Sequence, residues 1–192
     1  MQKLILILGA MLLAPTAALA HTGHGETASF FAGLQHPVSG LDHVTVMLAV
    51  GLLAALKGGR ALWLWPLTFV GVMVAGGALG MAQVQLPLVE PAILASVVVL
   101  GLLVALAVNL PIWLGALVMG VSALFHGHAH GLEAASHGGL GYMTGFVVTT
   151  AALHLAGIGA VLALRSASLQ PLVRLAGAAC VLIGTGLALN TM

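Results

Sequence analysis

The sequence predicts an all-α polytopic membrane protein, with six transmembrane helices behind a cleaved signal peptide. Three observations predict it. The 192 residues are 61% hydrophobic and 5% charged, against about 25% charged in ordinary domains, so lipid must face most of the surface. Six apolar runs are each long enough to cross a hydrocarbon core about 30 Å thick. The basic residues fall on one side of those runs. The same composition excludes disorder, which needs low hydrophobicity. It also excludes nucleic-acid binding, because five basic residues form no patch.

Residues 1–20 read as a secretory signal peptide. Lys3 supplies the basic start, an apolar core runs to Leu13, and Ala18-Leu19-Ala20 is a cleavage site. The alternative is an uncleaved first transmembrane helix, against which Pro15 and the short apolar core argue. Residues 21–192 then form a single six-helix transmembrane domain. The spans are expected at 38–56, 61–82, 92–110, 111–125 or beyond, 140–164 and 172–189. Pro111 splits the third from the fourth and predicts a tight helical hairpin. A transmembrane β-barrel is excluded, because its strands alternate polar and apolar residues.

Charge placement supports the count. With the mature N-terminus outside, loops 57–60, 109–111 and 165–171 are cytoplasmic. Lys57, Arg60, Arg165 and Arg174 fall on that side or just inside the adjoining helix end. The pairs Gly76–Gly80 and Gly141–Gly145 are small-x-x-x-small patterns suited to close helix packing.

Nine histidines stand beside nine charged residues in this apolar chain. The first cluster is His36-Pro37-Val38-Ser39-Gly40-Leu41-Asp42-His43. Seven residues separate its histidines, which would place both on one helix face. Pro37 and Gly40 point to a broken or starting helix, and irregular backbone at membrane depth must be buried in protein or line a cavity. Asp42 at membrane depth costs roughly 2.5–3.5 kcal/mol on insertion scales, so a cationic or donor partner is expected. The second cluster is Phe125-His126-Gly127-His128-Ala129-His130-Gly131-Leu132-Glu133, with His137 following. On a helix, His126, His130, Glu133 and His137 share one face and His128 points elsewhere. His154 lies alone within the fifth span.

Simpler readings stand beside these. Ser39 or Asp42 could cap a helix. His128 and His137 read best as solvated polar turns. His154 could bond a backbone carbonyl. His21 and His24, with Glu26, either gather metal or form a floppy tail.

Imidazole and carboxylate together suit nickel, cobalt, zinc or copper(II). Magnesium and calcium prefer all-oxygen sites, and copper(I) prefers sulfur. The single cysteine, Cys180, reads as a small hydrophobe. A P-loop, a Gly-x-Ser-x-Gly elbow and a His-Glu-x-x-His pair are all absent. Almost no chain remains outside the membrane, which suits a permease or channel better than an enzyme.

At the two clusters the chain resembles the HupE/UreJ family of nickel and cobalt permeases. The first-span motif His-Pro-x-x-Gly-x-Asp-His is matched by His36, Pro37, Gly40, Asp42 and His43. The later motif Phe-His-Gly-x-Ala-His-Gly-x-Glu is matched by Phe125, His126, Gly127, Ala129, His130, Gly131 and Glu133. Leu153-His154-x-x-Gly157 resembles a shorter fifth-span pattern. The resemblance implies import of nickel or cobalt across a bacterial inner membrane, with the metal as substrate and no permanently bound cofactor.

The metal ligands are then expected to be His36, Asp42, His43, His126, His130 and Glu133, between the first and fourth spans, with His154 further inward. His21, His24, His128 and His137 are weaker candidates. The alternatives are an intramembrane zinc hydrolase, using the same residues around an activated water, and a metal sensor or chaperone subunit, for which the short loops leave little docking surface.

Overall fold

A computed structural model describes residues 26–164 and 170–190. The expected signal peptide, His21, His24, the Glu26 side chain and Arg165 lie outside the described residues. Seven helices make up the described chain: α1 (Glu26–Ser39), α2 (Leu41–Lys57), α3 (Ala61–Met81), α4 (Val89–Ala105), α5 (Ile112–Ala134), α6 (Leu140–Ala163) and α7 (Gln170–Asn190).

The breaks follow local chemistry. Gly40 is extended (φ −104°, ψ 124°) and starts α2, so α1 and α2 meet at an 81° bend. Pro37 is carried inside the last turn of α1. Gly58 and Gly59 take positive φ (71° and 55°) after α2, and Gly138 and Gly139 do so (96° and 59°) before α6, where glycine carries no Cβ penalty. Pro111 caps α5, where its missing N–H would have no helical partner.

Four helices, α3, α5, α6 and α7, are long and apolar enough to cross a membrane, and the bent α1–α2 pair raises the number to five. The third expected span, 92–110, corresponds to α4. Its 17 residues give roughly 25 Å at 1.5 Å per residue, short of the core thickness. The sequence boundary at Leu110 overran the helix because residues 106–108 are apolar but leave it, with Ala107 at φ 50°. The expected hairpin is present as the 106–111 connection between α4 and α5, which pack together.

The fourth span, expected to end at 125 or beyond, takes in residues 126–134. They continue α5 to Ala134. Glycine is weak in isolated helices, but here Gly127 and Gly131 are packing surfaces. A Cβ on Gly127 would collide with Met73 O, and one on Gly131 with Gly77 O. Gly76 and Gly80 of α3 meet α5 backbone in the same way. The α3–α5 pair is therefore packed backbone to backbone, as small residues allow in lipid. Gly33 against Tyr142 and Gly145 against Phe30 join α1 to α6, and Gly51 and Gly157 join α2 to α6.

Polarity is inverted relative to a soluble domain. Trp113, Leu155 and Leu182 are exposed, while five histidines, Ser96, Ser122 and Thr150 are buried. One end of the bundle is basic. There Lys57 Nζ donates to Asn109 Oδ1 (2.6 Å) and Arg174 Nε donates to Ala105 O (2.8 Å). The second bond places a cation on the carbonyl end of α4, where the helix dipole favours it. His36, His43 and Glu133 lie at the opposite end.

Candidate metal site

Three helices bring the two sequence clusters together. The α1–α2 bend carries His36 on one arm and Asp42 and His43 on the other, with the two imidazoles still 6.4 Å apart. Gly40 makes room for this, since a Cβ there would fall 2.7 Å from Asp42 Oδ1 and 3.0 Å from His43 Nδ1. Thr149 Oγ1 donates to Leu34 O (2.8 Å) and ties α1 to α6. The α5 helix supplies His126, His130 and Glu133 from one face.

The rings form a bent series that turns through roughly a right angle at His130, since His36 and His43 are 6.4 Å apart. Centroids lie 4.8 Å apart from His36 to His130, 4.3 Å from His130 to His43 and 4.9 Å from His43 to His126. Phe146 of α6 packs on His130 at 4.0 Å. The series leads from a mouth into the core, because the His36 and Glu133 side chains are 33% and 44% exposed while His130 and His126 are closed from solvent.

Hydrogen bonds fix which ring nitrogens are free. His43 Nδ1 donates to Asp42 Oδ1 (2.9 Å) and His130 Nδ1 donates to Glu133 Oε2 (3.0 Å). Ser96 Oγ gives its single proton to Ile93 O (2.7 Å), so at 2.9 Å it accepts from His126 Nε2. His43 Nε2, His130 Nε2 and His126 Nδ1 are each buried with no partner. They carry the lone pairs that a metal needs. This is the arrangement in which a carboxylate or hydroxyl orients an imidazole for ligation.

An unsatisfied buried polar atom costs about 1–3 kcal/mol, and an apolar residue would avoid that cost. The orphaned nitrogens thus favour a ligand-binding role over a packing one. Three ligand atoms already converge: those of His36, His130 and Glu133 all lie within 4.8 Å of one another. Glu133 Oε2 is also 3.0 Å from His36 Nε2 and accepts from the Tyr142 hydroxyl at 3.0 Å. Asp42 contacts His43 rather than this trio.

The remaining candidates separate. His128 was expected in a solvated turn. It is instead buried on the opposite side of α5, with Nε2 2.6 Å from Val84 O, because the helix continues through it. His137 lies beyond the end of α5, so the shared helix face stops at Glu133. It is exposed in the 135–139 turn with Nδ1 2.8 Å from Glu133 O. His154 is buried on α6 with neither ring nitrogen partnered, so it bonds no carbonyl. Its neighbour is Phe69 of α3, at 5.2 Å and nearly perpendicular.

Sequence reading missed Ser96, Tyr142, Phe146 and Phe69. Each is an ordinary residue for its helix and reaches the site only through tertiary packing. Tyr142 is the single tyrosine of the chain, which was the one available signal.

The family profile described as HupE / UreJ protein matches residues 9–187. A curated relative, "Protein HupE" of Rhizobium leguminosarum bv. viciae, is 44% identical over 188 residues, covering 97% of each chain. No solved structure matches the chain at a significant level. Neither similarity supports the hydrolase alternative.

Proposed function

The chain belongs to the HupE / UreJ family, and on that premise we propose that it is a transition-metal permease that imports nickel or cobalt, and not an enzyme. One observation carries the reading: a contiguous, bent series of four imidazoles leading from an exposed mouth to buried rings, three of them with buried, unpartnered lone pairs. An enzyme site would close around one metal and one water. A graded series of ligands instead suits an ion that sheds water stepwise and moves on.

In this reading His36, His130 and Glu133 take the ion at the mouth. His43 lies between His130 and His126 and passes it inward, with Asp42 and Ser96 holding the accepting tautomers. His154 is the next ligand. The imidazole-rich set suits nickel and cobalt; zinc and copper(II) fit the same donor chemistry. Binding requires unprotonated imidazole, so metal and protons compete. The chain sits in a bacterial inner membrane with the histidine mouth outward and the Lys57–Arg174 end inward, by the positive-inside rule. The membrane potential then favours entry of a dication, at about 2.3 kcal/mol per charge per 100 mV. We place α4 as a sixth, short crossing.

The test is cobalt and nickel accumulation by cells expressing Asp42→Asn or His130→Ala at normal protein levels. Accumulation is expected to fall to the level of cells lacking the chain. Wild-type accumulation in both variants would overturn the site.

A further inference from the structure

His154 is 1% exposed and neither of its ring nitrogens has a partner. One side chain packs against both His154 and the outer His126. Phe69 of α3 is fully buried. Its ring centroid lies 6.1 Å from that of His126 and 5.2 Å from that of His154, and its plane is nearly perpendicular to the latter. Helix depth gives the same order. At 1.5 Å per residue, His130, His126, Phe69 and His154 lie roughly 6, 12, 18 and 21 Å from the histidine-bearing ends of their helices.

We propose that Phe69 is the barrier residue of the pathway, dividing an outer compartment around His126 from an inner one at His154. This rests on the permease reading above. An aromatic ring offers no lone pair to a partly dehydrated ion and excludes water from the gap, as apolar constrictions do in channels.

The backbone leaves the side chain as the moving part. A Cβ on Gly51 would collide with His154 O, and one on Gly127 with Met73 O, so α2 holds α6 and α5 holds α3 at this depth. Met73, one turn from Phe69, is also fully buried, and its flexible thioether chain can yield to a rotating ring.

The test is access to position 154. The full chain carries His154→Cys in a Cys180→Ser background, in sealed spheroplasts and in inverted vesicles. A membrane-impermeant thiosulfonate is applied to each. The preparation in which a separate His137→Cys chain reacts defines the histidine side. From that side, Cys at 154 is expected to be protected with Phe69 present and to react at least about tenfold faster with Phe69→Ala. Phe69→Leu carries the same test if the alanine variant does not accumulate. Equal labelling with and without the Phe69 ring would overturn the proposal. Labelling needs no metal, so it decides the barrier independently of cobalt flux, whose absence from the unaltered chain would instead remove the permease reading.

Discussion

His43 Nδ1 lies 2.9 Å from Asp42 Oδ1, and that contact leaves His43 Nε2 buried without a partner. A partly buried carboxylate is expensive without a partner, and here its counterpart is the adjacent imidazole. The pair therefore does two things at once: it satisfies Asp42, and it presents a lone pair toward the α5 histidines.

Replacing Asp42 by Asn removes the charge and leaves an amide that can either accept or donate, so the tautomer is no longer fixed. Loss of such an orienting partner typically lowers metal affinity about 10–100-fold. Cobalt binding to the purified Asp42→Asn chain, followed by the visible absorption of the bound ion, is expected to weaken by that order. Unchanged binding would show that Asp42 does not orient His43.

Ser96 makes the same kind of contact more weakly, because its hydroxyl is neutral. Ser96→Ala leaves His126 free to take either tautomer, and cobalt uptake is expected to fall about three- to tenfold. Ser96→Thr, which keeps the hydroxyl, should restore most of it. A null effect of Ser96→Ala on uptake would remove His126 from the path.

The pH dependence has a definite sign. A protonated imidazole has no free lone pair, so protons compete with the metal for the histidine ligands. Uptake measured at fixed free cobalt should decline as the pH on the histidine side drops from about 7.5 to 5.5. A rate that rises over this interval would contradict imidazole ligation.

Stability and function should part at His154. Both of its nitrogens are unsatisfied in an apolar surrounding, so His154→Leu removes a polar burial cost of about 1–3 kcal/mol. Thermal unfolding in detergent is expected at the same or a higher temperature, while cobalt uptake is lost. A large drop in unfolding temperature would mean that the imidazole is structural.

Gly131 tests the packing. A Cβ there meets Gly77 O directly, and overpacking of this kind costs about 1–3 kcal/mol. Gly131→Ala should lower the unfolding temperature and, by tilting α5, weaken cobalt binding at His130. Gly71→Ala, where a Cβ meets open space, is the matched control and should change neither.

How far the sequence carried depends on whether a feature is local. His126, His130 and Glu133 share a face because helix spacing puts them there, and that was readable. So was the break near Gly40. The end of α5 at Ala134 was not, because the close packing of Gly127 and Gly131 on α3 that carries the helix so far is tertiary. His128 was misplaced for the same reason. Ser96 and Phe69 carry no local mark; their roles come from which helices lie alongside. Spans four and six were long enough to recognise, whereas α4 is short and the apolar residues after Ala105 carried the expected boundary past its end.

The most direct test of the central claim is radioactive nickel and cobalt uptake into proteoliposomes containing only the purified chain. The expected result is saturable, time-dependent uptake of one or both ions, abolished by His43→Ala. Uptake no greater than in protein-free vesicles, or unaltered uptake by His43→Ala, would contradict the account.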